Sequence, residues 1–281
     1  MEKKMSTRDK AVMYVLLTVI AVIFMFPLIW MVVSSFKDDA GIFSDISGIR
    51  AFLPSFHADV FFNYKEVLAR IPLAKAMLNS FSYIVVAIIL GLIVNSMAGY
   101  AFARLKFPGK NIIFSMLLAV MVIPAQTVML PQFSIIYKMG LADSYAALIL
   151  PAIASPMYIF LFRQNFLGIP ESIEEAAKLD GASALRTFFQ LIVPLAKPIY
   201  ATVTILVFIA MWNDFVWPVM VISDTNKQTI QMALSSLFSI SPVNYGNVMA
   251  GLTIVTIPVL VIFLMLQKYY VAGIASTGAK N

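Results

Sequence analysis

Uncharged apolar runs long enough to cross a membrane recur along this 281-residue chain. A helix needs about 20 predominantly apolar residues to cross the hydrocarbon layer of a bilayer. The first such run, residues 11–33, is longer than the apolar region of a signal peptide and ends in bulky residues, so we predict a retained span. Five more spans are predicted at residues 77–103, 111–130, 144–162, 198–223 and 248–267. The predicted fold class is an all-α membrane protein with six transmembrane helices, kinked where proline interrupts them.

Basic residues are distributed unevenly between the two sets of loops that six spans would create. The termini and the loops on their side hold 13 of the 20 Lys and Arg residues, and the loops on the other side hold 7. Lys and Arg are enriched in cytoplasmic loops. We therefore predict that both termini are cytoplasmic, as is the segment 174–194, which reads EEAAKLDGASALRTFFQLIVP.

Composition supports the membrane assignment and excludes several functions. The chain is 61% hydrophobic and 12% charged, against roughly 45–50% and 25% in soluble domains. The net charge of +6 fits basic loops at a membrane face better than nucleic-acid binding. Without cysteine, the chain has no disulfide and no thiolate metal site. The lone His57 has no partner at metal-ligand spacing, and no phosphate-binding or hydrolase motif occurs, so we expect no catalytic residue, metal or cofactor.

The segment 174–194 predicts a helix, a turn and a second helix. Pro170 suits the first turn of the first helix, and acidic residues lie near the positive end of its dipole. Glu174 has the spacing to pair with Lys178. Gly181 supplies the left-handed or side-chain-free position that ends this helix.

The second part of the segment, residues 183–193, predicts an apolar face that packs on the inner ends of the spans. Four side chains at helical spacing form this face: Leu185, Phe188, Phe189 and Ile192. Two interpretations remain for the whole segment, an interfacial helix on the lipid surface or a docking surface for another protein. The acidic sequence ESIEEAAKLD would be repelled by anionic lipid, which favours a basic protein partner.

Polar residues inside the spans are candidates for a translocation path. Asp214, beside Asn213 in MWNDFVWP, is the one charge within its run, and an intramembrane acid often marks a functional site. The alternative is that Asp214 lies far enough along its span to reach water at the outer surface. Asn79, Asn95 and Gln126 either line a hydrated path or bridge helices. The flanking Trp212 and Trp217 fit an interfacial aromatic belt or a sugar-stacking surface.

The segment also resembles a known motif. EAAKLDGASALRTFFQLIVP is similar to the EAA loop of permease subunits of binding-protein-dependent, ATP-driven importers, whose pattern is EAA, three residues, Gly, nine residues and I-x-LP. Glu175, Ala176, Ala177 and Gly181 match this pattern, whereas Leu191 and Val193-Pro194 depart from it conservatively. The extended form with Asp180 and Ala182 resembles the carbohydrate branch, the maltose-type permeases. GYAFARLKFPGK, IYKMGLADS, WNDFVWP and YYVAGIASTGAKN are also similar to that branch.

This resemblance implies a type I importer permease fold and a transport function in a prokaryotic cell membrane. A second permease, expected to be a different chain, would pair with this one. Two cytoplasmic ATPase subunits would dock beneath the pair, and an external solute-binding protein would deliver a sugar, so the chain itself is not expected to be an enzyme. The ATPase-coupling residues implied by the motif are Glu175, Ala176, Ala177, Asp180, Gly181 and Pro194, with Glu175 paired to a basic ATPase residue.

The resemblance also suggests how the chain is organised and which alternatives stay open. We expect an N-terminal tail, first span and external loop in residues 1–75, a five-helix core with the coupling loop 169–197 in residues 76–270, and a cytoplasmic tail in residues 271–281. The alternatives are an importer permease for a non-sugar solute and an ion-coupled secondary carrier. The internal symmetry typical of such carriers is not evident, and an intramembrane enzyme would need catalytic residues that the sequence lacks.

Overall fold

A computed structural model describes residues 6–44, 48–53 and 59–278, and all secondary structure in these ranges is helical, which confirms the all-α prediction. His57 lies outside the described residues. In chain order the α-helices are α1 (Thr7–Ser34), α2 (Asp39–Ser44), α3 (Phe62–Arg70), α4 (Leu73–Arg104), α5 (Lys110–Val120), α6 (Ala125–Lys138), α7 (Tyr145–Ile149), α8 (Pro156–Leu167), α9 (Glu171–Leu179), α10 (Ala184–Thr187), α11 (Val193–Leu195), α12 (Lys197–Trp212), α13 (Val216–Val221), α14 (Ile230–Ser235) and α15 (Tyr245–Gly278). A π-helix, Phe188–Ile192, connects α10 to α11.

Three of the predicted spans are long continuous helices. By length and apolar composition α1, α4 and the Tyr245–Gln267 part of α15 could each cross a membrane. Pro27 and Pro258 lie inside α1 and α15 without ending them. The helix α1 buries none of its most apolar window against the rest of the protein.

The other predicted spans are bent pairs of helices, so the described residues give six spans if each pair counts as one. The angle between α5 and α6 is 103°, and the break ends at Pro124, whose extended backbone starts α6. The stretch Tyr145–Ala152 meets α8 at 42°, with Pro156 as the first residue of α8. A 79° bend separates Ala184–Leu195 from α12. The predicted fifth span, 198–223, is itself interrupted between α12 and α13.

The chain divides into two compact units, of which the smaller combines the residues up to Ala74 with Ala233–Ile257. Asn63 of α3 is buried and donates hydrogen bonds to the backbone oxygens of Ser35 (2.9 Å) and Lys37 (2.7 Å). A Cβ at Gly246 would lie 2.6 Å from the Lys37 oxygen, so only glycine fits where the start of α15 approaches this segment. These contacts fasten the chain that follows α1.

The larger unit comprises Lys75–Met232 and the residues from Pro258 onward. Its core is aromatic and aliphatic and comes from α4, α8, the π-helix and α12. The buried members of this cluster are Tyr100, Phe162, Phe166, Phe188, Ile192, Ala196, Val203 and Val207. Helices α4 and α8 approach closely at Gly99, where a Cβ would lie 2.6 Å from Cβ of Phe162 and 3.0 Å from the Arg163 nitrogen.

Candidate coupling site

Local signals in the sequence define both ends of α9. Pro170 precedes its first residue, and Glu171 and Glu174 occupy its first turn. At the other end Gly181 has a left-handed φ of 76°. The Gly181 nitrogen donates to the Lys178 oxygen (3.0 Å) and the Ala182 nitrogen donates to the Ala177 oxygen (2.9 Å), which is the Schellman pattern. The predicted role of Gly181 in ending the helix is confirmed.

The two adjacent glutamates of EEAA lie in different environments on α9. Glu174 is buried, as is Ala177 one turn later. Glu175, Ala176 and Asp180 are exposed. Leu179, at the tip of the helix, is 90% exposed. One face of α9 is thus held by the protein, and the other presents a carboxylate and an apolar tip.

Arg104, the last residue of α4, holds the buried face of α9. Its Nε atom lies 2.7 Å from Glu174 Oε1, and Tyr100 donates a hydrogen bond to Glu174 Oε2 at 3.0 Å. The side chains of Arg104 and Glu174 are each 7% exposed. The prediction that Glu174 pairs with Lys178 is wrong, because Glu174 turns inward to the buried Arg104, whereas Lys178 is exposed.

Arg104 also contacts the end of α8 and the start of α9. Its Nη2 atom donates to the Phe166 oxygen (2.7 Å) and to the Ile169 oxygen, and its Nη1 atom donates to Glu171 Oε1 (3.1 Å). A guanidinium group near helix carbonyls that lack intrahelical partners offsets both their charge and their unmade hydrogen bonds. In the sequence Arg104 lies in GYAFARLKFPGK, which counted as a basic loop similar to the carbohydrate branch, and no role was assigned to Arg104. The available signal was Glu174, the first glutamate of EEAA, which needs a partner because it lies on the buried face of α9.

The second part of the segment starts as predicted and then departs from expectation. The Ser183 hydroxyl caps α10 by accepting a hydrogen bond from the Arg186 nitrogen at 3.3 Å. Phe188 and Ile192 are buried, but Leu185 and Phe189 are 59% and 52% exposed. The predicted four-residue face is therefore half wrong. Residues four apart align in rows on a helix, and only the row of Phe188 and Ile192 faces the core. Pro194, in α11, is exposed.

Asn95 bridges α4 to the break before α8. Its amide nitrogen donates to the backbone oxygens of Gly91 (2.6 Å) and Ile153 (2.8 Å), and its amide oxygen accepts from the Ser155 nitrogen (2.8 Å). Asn95 is 1% exposed. This geometry corresponds to the helix-bridging alternative, because the amide satisfies backbone groups that the 42° bend leaves free.

Asn79 and Gln126 occupy different environments. Asn79 is half-buried and donates to the backbone oxygens of Asn226 (2.9 Å) and Gln228 (3.0 Å), so it fastens α4 to the loop before α14. Gln126 is exposed in the first turn of α6. The structure does not bring Asn79, Asn95 and Gln126 together through any hydrogen bond among the described residues.

Asn213 and Asp214 occupy the interruption between α12 and α13. Asn213 is exposed and donates to the Ile209 oxygen of its own helix at 2.8 Å. Asp214 is half-buried and accepts from the Trp217 nitrogen at 3.3 Å, which caps the start of α13. Trp212 and Trp217 are buried, and Trp217 donates its indole N–H to the Ala147 oxygen (3.0 Å). Both indoles are therefore buried inside this chain. This differs from both interpretations of the sequence, a lipid-facing belt and a sugar-stacking surface, because each would require exposed rings.

Asp143 organises the loop that follows α13. It has a left-handed φ of 57°, and its Oδ1 accepts from the nitrogens of Ser223 (3.0 Å) and Asp224 (2.9 Å). Lys227 contacts its Oδ2 at 3.2 Å. The backbone N–H of Asp224, then that of Ser223, and the nearby Lys227 hold the pKa of the Asp143 carboxyl below its usual value. In the described part of the chain, no three His, Asp or Glu side chains form a metal-binding group.

Comparisons with known proteins place these features in a family. The model of the family described as "Binding-protein-dependent transport system inner membrane component" matches residues 87–276, which include α9 and Arg104. The chain is 36% identical over 203 residues to the arabinooligosaccharides transport system permease protein AraQ of Halalkalibacterium halodurans, covering 72% of this chain and 73% of AraQ. It is 32% identical over 262 residues to the lactose transport system permease protein LacG of Rhizobium radiobacter, covering 93% of each.

A solved structure shares the whole architecture. The crystal structure of a bacterial ABC transporter involved in the import of the acidic polysaccharide alginate contains a chain that superimposes with a TM-score of 0.80 at 26% identity. The match covers 95% of this chain and 99% of that chain. The predicted permease fold is thereby confirmed.

Proposed function

The chain belongs to the inner membrane components of binding-protein-dependent transport systems, and on that premise we propose that its α9 segment couples a separate ATPase subunit to a sugar-translocating path. A component of this family is a bacterial inner-membrane permease, and ATP hydrolysis takes place in another subunit of the transporter. The residues of this chain therefore bind, position and move, and they perform no chemistry on ATP.

The burial of Glu174 and the exposure of the adjacent Glu175 carry this proposal. A helix that is buried on one face and presents Glu175, Ala176 and a 90% exposed Leu179 on the other has the shape of a segment that enters a partner's cleft. The small Ala176 permits close approach, and Glu175 offers a charge pair to a basic residue of the ATPase. Such a pair, once desolvated, is costly to break. A helix held rigidly from behind transmits the partner's movement as a rigid-body shift.

Gly181 contributes through its backbone conformation. An added Cβ would meet no atom of this chain within 4 Å, so a larger side chain is not excluded by a clash inside the protein. The left-handed φ of 76° is nevertheless strained for a β-branched residue. We assign Gly181 and Asp180 to the turn that fixes the angle between α9 and α10, and Pro194 to the connection leading into α12.

We further propose the arrangement of the assembly. Both termini and α9 lie on the cytoplasmic side, as the excess of Lys and Arg in those loops predicts. A second, different permease chain pairs with this one, two ATPase subunits dock on the cytoplasmic side, and a solute-binding protein docks outside. The family match supports a permease, an ATPase and a binding protein, and the numbers and the heterodimer are our assignment.

The translocation path is assigned to polar groups of the larger unit. We propose that Gln126, Asn213 and Asp214 face this path, with Asp214 shaping the outer gate because it caps the start of α13. Asn79 and Asn95 support the path by holding α4 to neighbouring backbone. Asp214→Ala should lower uptake and leave ATPase binding intact, and full uptake by this variant would remove Asp214 from the gate.

The substrate class we propose is a sugar or short oligosaccharide. Two relatives carry names that state transport of arabinooligosaccharides and of lactose, and both match most of this chain. The assignment is tested by reconstituting the complex with its binding protein and measuring ATP-driven uptake of labelled arabino-oligosaccharides and lactose. Uptake of a non-sugar solute alone would support the alternative of a non-sugar importer.

The coupling assignment is tested by charge reversal at the exposed glutamate. Glu175→Lys should insert normally and lose binding-protein-stimulated ATP hydrolysis and uptake, because a cation then faces the basic ATPase residue. A basic-to-acidic change at that ATPase position should partly restore transport. The matched control is Asp9→Lys, which reverses another exposed carboxylate in a segment we place on the same side. Full uptake by Glu175→Lys with a tightly bound ATPase would reduce α9 to an interfacial helix.

The orientation of the chain in the membrane is tested by introducing single cysteines, because the natural sequence contains none. A cysteine at Ser183 should react with an impermeant thiol reagent only from the cytoplasmic side, and a cysteine at Ser44 only from outside. The opposite labelling pattern would overturn both the orientation and the coupling assignment.

A further inference from the structure

We propose that Arg104 is a positioning residue for coupling, which fastens α9 to the paired helices α4 and α8 so that displacement of α9 moves α4. This inference rests on the proposed function, because it assigns the route by which force leaves the coupling segment. It concerns a residue outside the EAA-like motif, 67 positions before Glu171.

The guanidinium group of Arg104 joins three helices. Arg104 ends α4, donates to the Phe166 and Ile169 oxygens at the end of α8, and contacts Glu171 and Glu174 in the first turn of α9. Arginine presents five N–H donors in a planar, rigid fork. A lysine at this position would offer a single mobile ammonium group, which could not contact the end of α8 and both glutamates of α9 at the same time.

The two glutamates that contact Arg104 differ in burial. The Glu171 side chain is 79% exposed, so its ion pair with Arg104 is screened by water. Glu174 and Arg104 are each 7% exposed, and Arg104 Nε lies 2.7 Å from Glu174 Oε1 in an ion pair whose two atoms make no hydrogen bond within the described residues. Tyr100, one turn before Arg104 on α4, donates to the other oxygen of Glu174. The buried Glu174 is therefore the main attachment of α9.

Helices α4 and α8 pack tightly against each other. At Gly99 the helices are so close that a Cβ would lie 2.6 Å from Cβ of Phe162. Phe162 and Phe166 of α8 are fully buried, and the Phe166 ring meets the Tyr100 ring edge-on, with centroids 6.2 Å apart. Tightly packed helices transmit displacement with little internal adjustment. An α9 segment tied to this pair must carry both helices with it.

The other exit from the coupling segment is compliant by comparison. It runs through Ser183, the short α10 and a π-helix, and then turns by 79° before α12. Phe188 and Ile192 pack into the same buried cluster as Tyr100 and Phe166, but this exit has no ion pair to α4 or α8 among the described residues. π-helical turns and bends are places where a helix adjusts its path. We therefore assign the directional attachment of α9 to Arg104.

The experiment measures substrate accumulated per ATP hydrolysed, in proteoliposomes that contain the complete transporter and its binding protein. This ratio does not depend on how much complex is recovered. Arg104→Gln and Glu174→Gln should each lower the ratio about tenfold, within the usual range of coupling between two sites. Arg104→Lys should give an intermediate ratio, because the charge stays and the fork is lost.

Arg163→Gln is the matched control. Arg163 lies on α8, donates from Nε to the Phe102 oxygen at 3.2 Å and stacks over Phe114, with no recorded contact to α9. Its replacement also removes an arginine, and with it one hydrogen bond between α8 and α4, but it leaves the contacts of Arg104 with α9 in place. The ratio for Arg163→Gln should equal that of the unaltered protein, even if the complex becomes less stable.

A cross-link separates fastening from folding. In the cysteine-free chain, the pair Arg104→Cys and Glu171→Cys should show the low ratio when reduced and regain most of it when joined by a short bifunctional thiol reagent. A folding defect would not be repaired in this way. If the unaltered transporter accumulates no substrate with ATP, the proposed function fails. If it does, and Arg104→Gln and Glu174→Gln keep its ratio, only the role of Arg104 is overturned.

Discussion

The two ends of α4 are both fastened to chain that follows much later, but by different chemistry. At the start of α4, Lys75 contacts the Asn226 side chain at 2.6 Å, and Asn79 donates to the backbone oxygens of Asn226 and Gln228. The buried Ser80 hydroxyl accepts from the Ile230 nitrogen at 2.8 Å. Asn79 and Ser80 thus make neutral hydrogen bonds to backbone, and the one charged group, Lys75, is exposed.

At the end of α4, Arg104 makes charge-assisted contacts in a buried setting. Neutral hydrogen bonds exchange with water at a small net cost, whereas a buried charge that loses its partner has no substitute. The start of α4 is therefore suited to contacts that open and close, and its end to one that stays closed. Four experiments test this contrast.

The largest effect is expected at the Arg104 end. Glu174→Ala should lower the free energy of unfolding by about 3–5 kcal/mol, because it removes the buried carboxylate beside Arg104 and leaves only the exposed Glu171 as an acidic partner. Denaturant unfolding of the detergent-solubilised protein measures this loss. The adjacent, exposed Glu175→Ala is the control and should stay within about 0.5 kcal/mol of the parent. Equal effects of the two variants would show that the ion pair is no stronger than a surface contact.

The next effect concerns the close approach of α4 and α8. Gly99→Ala should cost about 1–3 kcal/mol, because its methyl group must displace Phe162 and backbone of α8. The control is Gly91→Ala on the same helix, where a Cβ would have its nearest neighbours at 3.6 Å. That variant should be neutral or gain up to about 1 kcal/mol from helix propensity. A Gly99→Ala protein as stable as Gly91→Ala would mean that the two helices are not tightly joined.

A smaller effect is expected at the start of α4. Asn79→Ala should lower the free energy of unfolding by about 1 kcal/mol, since it removes neutral hydrogen bonds whose acceptors water can reach. Hydrogen exchange of residues 226–230 should accelerate at the same time. Ser82→Ala, which removes a hydroxyl bonded only to the Leu78 oxygen one turn earlier, serves as the control and should leave that exchange unchanged. A loss as large as that of Glu174→Ala would abolish the contrast between the ends.

The smallest effect depends on pH and concerns the loop that Asn79 holds. Because the pKa of Asp143 is lower in the folded protein than in the unfolded chain, its stabilisation is present above the usual value near 4 and disappears as the pH falls through the folded value. Limited proteolysis of residues 222–228 should therefore quicken in acid. Asp143→Asn, whose asparagine tolerates the left-handed backbone, should remove most of this dependence. An unchanged profile in that variant would show that Asp143 does not cause the acid effect.

The ends of α9 were predictable from the sequence, but the directions in which its side chains and those of the next helix point were not. Gly181 and the acidic first turn fix the bounds of α9 through interactions within a few residues, so they can be read from the sequence. The inward turn of Glu174 depends on Arg104, which is distant in the sequence and near only after α4 and α8 pack. Helical periodicity placed Leu185 and Phe189 with Phe188, but which row faces the core is decided by Tyr100 and Phe166.

The interruptions of the spans also combine a local signal, which the sequence shows, with a geometry that depends on distant residues. Pro124 and Pro156 lie at the breaks and were visible as possible kinks, yet the angles of 103° and 42° depend on the surrounding helices. Asn95 was recognised as an unusual polar residue within an apolar run. That its amide would complete the backbone hydrogen bonding at the second of these breaks could not be inferred, because the break itself lies 58 residues later.

The unbroken length of α4 gives its motion a mechanical advantage. It has 32 residues without an internal proline, and at 1.5 Å per residue such a rod is about 48 Å long. Asn79 lies 25 residues before Arg104, so a tilt of only about 5° pivoted at Arg104 would move Asn79 by roughly 3 Å. That displacement is as large as the length of a hydrogen bond, about 2.9 Å, so the bonds from Asn79 to residues 226 and 228 would break unless that loop moved with α4. A small rotation beside the coupling helix would thus become a large displacement at the far end of α4.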